Sequence, residues 1–369
     1  MLLKKISAWF IGAAFVLILS SVLFVSCGKA LSPSAAPGPV TVVQVLPTGT
    51  FTSTPTISRT PTNTATSTPS GTLTGTPTQT PTVTATPFPG LTWTARALPS
   101  SQDWKSVTYG NGEFVAVASG SSVAAATSPD GITWTPQTLP SGEDWTSVTY
   151  GNGVFVAIAA SSAVAATSPD GINWTQRTLP STTNWTSVTY ADGVFVAVAE
   201  PGAVAATSPD GITWTPQTLP SGVDWTSVTY GNGVFVAIAA SSAVAATSPD
   251  GIAWTAQTLP STTNWTSVTY GNGVFVAVAE PGAVAATSPD GITWTTRVLP
   301  SAQNWFSVTY GNGMFAAVNW GSAVAATSPN GIDWSPRALP SSQSWYTVTY
   351  GNNVFVTLAT NTTLAATSW

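Results

Sequence analysis

Residues 145–184 read WTSVTYGNGVFVAIAASSAVAATSPDGINWTQRTLPSTTN. Four short strands can be marked off in this stretch. Trp145 to Tyr150 ends at Gly151-Asn152-Gly153, a tight-turn sequence. Val154 to Ala159 follows and ends in a loop of small residues. Ala163 to Ser168 ends at Pro169-Asp170-Gly171. There the proline presets one turn residue, the aspartate bonds nearby amides, and the glycine takes a positive φ. Trp174 to Leu179 is the fourth strand, closed by Pro180. The middle strands carry Val, Ala and Ile on both faces, which predicts sheets covered on both sides.

The pattern recurs about every 40 residues. One tryptophan ladder is Trp93, Trp134, Trp174, Trp214, Trp254, Trp294 and Trp334; the other is Trp104, Trp145, Trp185, Trp225, Trp265, Trp305 and Trp345. Four antiparallel strands in such a period describe one propeller blade. A β-helix coil is shorter, and a helical solenoid needs faces of period 3.6. The repetitive part opens at Leu91-Thr92-Trp93-Thr94, in the register of strand four, and ends at Ala365–Trp369, in the register of strand three. The expected fold is therefore all-β: a seven-bladed β-propeller of 40-residue, four-stranded blades. One strand from the start and three from the end close it, which removes exposed sheet edges. A disordered Thr/Pro-rich stalk precedes it.

Residues 1–27 place Lys4 and Lys5 before an apolar run from Ile6 to Val25, the order of an export segment. Leu23-Phe24-Val25-Ser26-Cys27 resembles a bacterial lipobox, which implies lipidation of Cys27, the lone cysteine. An uncleaved anchor and ordinary secretion are the alternatives, since about 20 apolar residues can span a bilayer. One cysteine allows no intramolecular disulfide. Residues 28–90 are dominated by Thr, Pro and Ser, too proline-rich for helix or sheet and too poor in large apolar residues for a core. At about 3 Å per residue they form a stalk with a reach of roughly 200 Å. Residues 91–369 are the propeller, with five basic against fourteen acidic residues. That balance lacks the basic footprint nucleic acid requires. The expected location is extracytoplasmic, anchored to a bacterial membrane through the N-terminal lipid or helix, with a monomeric propeller.

Ser168-Pro169-Asp170-Gly171-Ile172-Asn173-Trp174 resembles an Asp-box, the BNR repeat of sialidase-like bacterial β-propellers. The heptad returns at Ser128–Trp134, Ser208–Trp214, Ser248–Trp254, Ser288–Trp294 and, with Asn330 for the aspartate, Ser328–Trp334. It is one residue shorter between Asp and Gly than most such boxes. The resemblance covers 91–369 and implies that Asp130, Asp170, Asp210, Asp250, Asp290 and Asn330 lock turns between strands three and four, outside any catalysis. It also raises a sialidase-type glycosidase as an alternative function, with an arginine triad, a tyrosine nucleophile and acidic partners. Arg96, Arg177, Arg297 and Arg337 all lie three residues after a ladder tryptophan, on strand four. That is the outer edge of a blade, far from the axis where such a triad sits. Tyr109, Tyr150, Tyr190, Tyr230, Tyr270, Tyr310 and Tyr350 recur with the repeat and read as packing; Tyr346, beside Trp345, carries no further signal. The chain has no histidine, which excludes His-based triads and His-ligated metal. No catalytic set, cofactor site or metal site emerges.

Variation between repeats is the better guide to function. The turns after strands one and three barely change, while the loops after strands two and four do. Alternating strand direction puts those two loop sets on one face, the expected binding face. Its candidate residues are Trp320, Asn319, Glu200, Glu280, Asp103, Asp144, Asp224 and Asn361. Trp320 breaks the tryptophan ladders, and an exposed aromatic stacks on sugars or anchors proteins. Residues 144–172 and 224–252 are identical, and near-identical blades favour display over a single asymmetric catalytic centre. The expected function is a ligand- or protein-binding module for an unknown protein or glycan. A purely structural surface repeat is the remaining alternative.

Overall fold

The computed structural model describes residues 92–369. The export segment with Cys27 and the Thr/Pro-rich region lie outside the described residues. Within them the protein is all-β, and one four-strand pairing recurs. Around Trp145, the second half of Thr135–Gly151 pairs with Val154–Ala160, which pairs with Ser162–Ser168, which pairs with the first half of Thr175–Ala191. Each junction is antiparallel. The middle strand Val154–Ala160 is buried along all but its end residues, as its two-sided apolar composition requires.

The expected separation of strand four from the next strand one is not what the backbone does. Thr135–Gly151 is one extended run of 17 residues, and so are its counterparts beginning at Thr94, Thr175, Thr255, Thr295 and Ser335. Each run leaves one sheet and enters the next. Its Leu-Pro-Ser segment holds the extended backbone that proline favours. Leu139 anchors the crossing in the core at 2 % exposure, and the indole N–H of Trp145 donates to the Ser141 carbonyl at 3.2 Å. The exception lies between Thr215–Thr218 and Trp225–Gly231, which are separate strands.

Three contacts repeat from sheet to sheet. The seven tryptophans of the second ladder are completely buried. Ser147 Oγ accepts the Val188 amide of the next sheet at 3.2 Å. Tyr150 lies against Gly110 of the preceding sheet so closely that a Cβ there would fall inside its ring, which is why a glycine ends that strand. At the corresponding seam Ala191 replaces glycine and packs in the cluster containing Tyr230. The first strand takes part in the same way at both of its ends. Thr94 to Ala97 pair with Leu364 to Thr367, while Trp104 to Gly110 pair with the next strand, Glu113–Ser119.

The boxes act as turn locks. Asp170 Oδ1 accepts the amides of Ile172 and Asn173 and the Ser168 hydroxyl, while Ser168 Oγ accepts the Gly171 amide. Burial pushes the Asp170 carboxyl up, but these bonds outweigh it and hold the group down at about 2. The Trp174 indole then donates to the Gly171 carbonyl at 2.9 Å. Asp130, Asp210, Asp250 and Asp290 are held below the ordinary carboxylate range by the same bonds. In the Asn330 box the amide oxygen accepts from Ile332 and Asp333 instead.

Candidate functional site

A small irregularity in the pairing builds the site. In the strand after each buried tryptophan, the register skips one residue. Trp145 faces Ala159 and Ser147 faces Ile158, leaving Thr146 without a partner. The same skip isolates Lys105, Thr186, Thr226, Thr266, Phe306 and Tyr346. A bulge of this kind turns its extra side chain out of the pleat. Here all seven bulge residues line one cavity of about 600 Å³.

The wall of that cavity is not uniform. Four threonines form one arc, and each hydroxyl bridges to the next sheet. Thr146 Oγ1 is 2.5 Å from the Trp185 carbonyl, and Thr186, Thr226 and Thr266 reach Trp225, Trp265 and Trp305 at 2.7, 2.6 and 2.8 Å. Those hydroxyls spend their proton on backbone, so toward the cavity they offer only acceptor lone pairs. The other arc is Phe306, Tyr346 and Lys105. The rings of Phe306 and Tyr346 are 4.2 Å apart, and Lys105 Nζ lies 4.2 Å from the Tyr346 centroid. Each of these three gives up the cross-sheet hydroxyl bond that threonine makes, a loss of about 1 kcal/mol apiece by the usual worth of such a bond.

The rim adds charge. Glu200 and Glu280 line the cavity. Burial, then the nearby Asp224, raises the Glu200 carboxyl; burial alone raises Glu280. Neither side chain has an ion-pair partner among the described residues, where the one salt bridge is Lys105 to Asp103 at 3.1 Å. Burial lifts the Tyr346 hydroxyl well above its ordinary range, assisted by Asp103, Glu200 and Glu280.

The two variable loop sets do lie together. Asp144 Oδ1 accepts the amides of Gly120 and Ser121 at 2.8 Å each, and the Asn184 side chain accepts from Ser161. Of the residues expected on this face, Glu200 and Glu280 reach the cavity. Asp103 stands behind Lys105 and accepts the Ser119 hydroxyl at 2.8 Å. Asp144 is spent on its loop. Asp224 and Asn361 are exposed, and the Asn361 amide donates to the Gln102 carbonyl at 2.8 Å. Asn319 is fully buried; its amide bonds the Val324 carbonyl and the Ser322 hydroxyl, leaving none of it at the surface. Trp320 is 44 % exposed and meets Phe306 edge-on at 5.7 Å. Its other side borders a groove of about 540 Å³ with Pro281, Gln303 and Asn304. Arg96, Arg177, Arg297 and Arg337 each donate through Nε to a strand-three threonine at 2.9 Å, so none lines the cavity.

Sequence reasoning missed Lys105, Phe306 and Tyr346. Tyr346 in particular is a wall of the site rather than an unremarkable neighbour of Trp345. The signal was present: at the position after the buried tryptophan the repeat reads Lys, Thr, Thr, Thr, Thr, Phe, Tyr.

Fold and cavity together define a β-propeller whose innermost strands surround a pocket. Residues 91–217 and 140–258 match the DUF6242 beta propeller domain. Among solved structures, the chain is similar to selenomethionine-substituted virginiamycin B lyase from Staphylococcus aureus, with 12 % identity and a TM-score of 0.69 over 76 % of this chain and 99 % of that one. It is also similar to YCF48 from Cyanidioschyzon merolae, with 13 % identity and a TM-score of 0.60 over 75 % and 98 %. A third likeness is the computationally designed Ika8 protein, with 10 % identity and a TM-score of 0.53 over 74 % and 98 %. At these identities the likeness is one of fold. No curated protein matches the chain by sequence.

Proposed function

We propose that this protein is a binding module, a seven-bladed propeller held outside a bacterial membrane that takes its ligand in the central cavity. The observation that carries this reading is the break in symmetry at the bulge. Four positions keep the threonine that knits adjacent sheets together. Three consecutive ones, Phe306, Tyr346 and Lys105, discard it for two rings and a cation facing the cavity. Departures from a stabilising repeat concentrate where function demands them. The count of seven blades, closed by one N-terminal and three C-terminal strands, is supported by the Thr94–Ala97 pairing with Leu364–Thr367. Tethering rests on the sequence of residues 1–27 and on the Thr/Pro-rich composition of 28–90.

The test restores the symmetry. A triple variant, Lys105→Thr, Phe306→Thr and Tyr346→Thr, regains the hydroxyl bridges and is expected to melt within a few degrees of the parent. On glycan and peptide arrays the full-length parent is expected to retain ligands that the triple variant loses; Trp320→Ala shows whether the outer groove contributes. Equal binding by parent and triple variant would remove the cavity from the proposal. Turnover of fluorogenic sialosides by the full chain would replace binding with glycosidase activity.

A further inference from the structure

We infer that the cavity selects an organic cation bearing several N–H donors, an alkylammonium or guanidinium group. This rests on the cavity being the binding site and names the chemistry it accepts. Three independent observations converge.

The first is acceptor excess. The threonine arc turns lone pairs inward because its protons are committed to backbone carbonyls. A ligand that satisfies such a wall must donate. The second is charge. Glu200 and Glu280 are partly desolvated carboxylates with no counter-ion among the described residues, because Lys105 is engaged by Asp103. Desolvated anions favour a cation more strongly than exposed ones do.

The third is that the protein already seats an alkylammonium here. Lys105 Nζ rests over the face of Tyr346 at 4.2 Å while an Asp103 carboxylate oxygen holds it at 3.1 Å. A ring face with a carboxylate beside it is the standard environment for such a group. Lys105 therefore marks the chemistry of the site and competes for part of it. An incoming cation at Glu200 and Glu280 feels its repulsion, and one at Tyr346 has to displace it.

The experiment titrates the full-length chain calorimetrically with putrescine and with the peptide acetyl-Gly-Gly-Lys-Gly-Gly-amide, and with lactose and succinate as neutral and anionic counterparts. At least one cationic probe is expected to bind one-to-one, with neither counterpart doing so. Binding of putrescine alone assigns a free amine as the source, binding of the peptide alone assigns a basic side chain, and both assign the group itself. Combining Glu200→Gln with Glu280→Gln should weaken that binding about tenfold or more, with the melting temperature held. Lys105→Met should strengthen it several-fold, by about one charge repulsion removed. The opposite signs separate recognition from general loss of structure. Failure of both cationic probes, or binding insensitive to both glutamine changes, overturns the cation assignment. Lactose binding that survives the glutamine variants but is lost in the triple threonine variant overturns the cation and leaves the cavity as the site.

Discussion

The side-chain amide of Asn352 donates to the Pro129 carbonyl at 3.1 Å across 223 residues of chain. The same bond joins Asn152 to Pro209 and Asn272 to Pro329, only 57 residues apart in each case. The contact between the last repeat and the first thus obeys the rule that governs internal neighbours. Gly351 likewise meets Tyr109 as Gly110 meets Tyr150. Deleting Leu91–Leu98 removes the strand that pairs with Leu364–Thr367 and the buried Trp93 and Leu98. The expected result is a sharply lower melting temperature or oligomers through the freed edge, read by calorimetry and size-exclusion chromatography. A monomer with an unchanged melt would refute the closed ring.

The two kinds of tryptophan should respond differently to truncation. Trp225 has no exposed surface and fills the space between sheets. Trp225→Ala is expected to cost about 3–5 kcal/mol, the range for large aromatic residues in a packed core. Trp320→Ala removes a side chain 44 % exposed, whose main neighbours are Phe306 and Tyr346. Its expected cost is about 1 kcal/mol or less. Denaturant titrations of the two variants compare them directly, and equal losses would contradict the burial difference.

Two boxes exchange an amide for a carboxylate. Asn173 Nδ2 donates to Asp170 Oδ2 at 2.8 Å, whereas Asn330 Nδ2 donates to Asp333 Oδ2 at 3.0 Å. Restoring the commoner residue by Asn330→Asp places two carboxylates where this bond now lies. It should destabilise by about 0.5–1 kcal/mol at neutral pH and low salt, the scale of exposed charge pairs. Adding Asp333→Asn should recover the loss. Stabilisation by the single change would show that the pair is not coupled.

Acid stability should have two phases. The box aspartates are held below their ordinary range, so their contribution is complete above the unfolded pKa and fades as pH falls through the folded one, about 2 for Asp170. Glu113, Glu200 and Glu280 are raised, so protonating them as pH falls through their folded values favours the fold. The melting temperature should rise slightly on mild acidification and fall in strong acid. Replacing Glu200 and Glu280 by glutamine should flatten the rise while leaving the fall. A monotonic decline from neutral pH would count against the raised glutamates.

Much of the fold was legible because its turns state their own geometry. Pro169-Asp170-Gly171 needs the positive φ of Gly171 (74°), and Asn152 and Gly153 both take positive φ between the first two strands. The rim was partly legible too: Glu200 and Glu280 stand in the loops that vary from one repeat to the next. The cavity wall was not, because a bulge has no sequence mark of its own. Simple alternation puts the residue after a buried tryptophan on the opposite face of its sheet. The skipped register instead turns Phe306 and Tyr346 toward the cavity, so each read as a neighbour of scaffold. The unbroken strand through Leu139-Pro140-Ser141 escaped for a related reason, since proline marks an extended segment as readily as a loop.

The hydroxyl of Thr146 belongs to two structures at once: it is lining of the cavity and a rivet between its own sheet and that of Trp185. Thr186, Thr226 and Thr266 hold the same double office. Along this threonine arc the lining of the cavity and the joint between sheets are therefore one set of atoms. That arc cannot widen without its joints opening, and so a ligand of the kind proposed above would meet a wall already shaped. A ligand that spans it acts as a strap across the joints, adding RT ln(1 + [L]/Kd) to the work of pulling them apart.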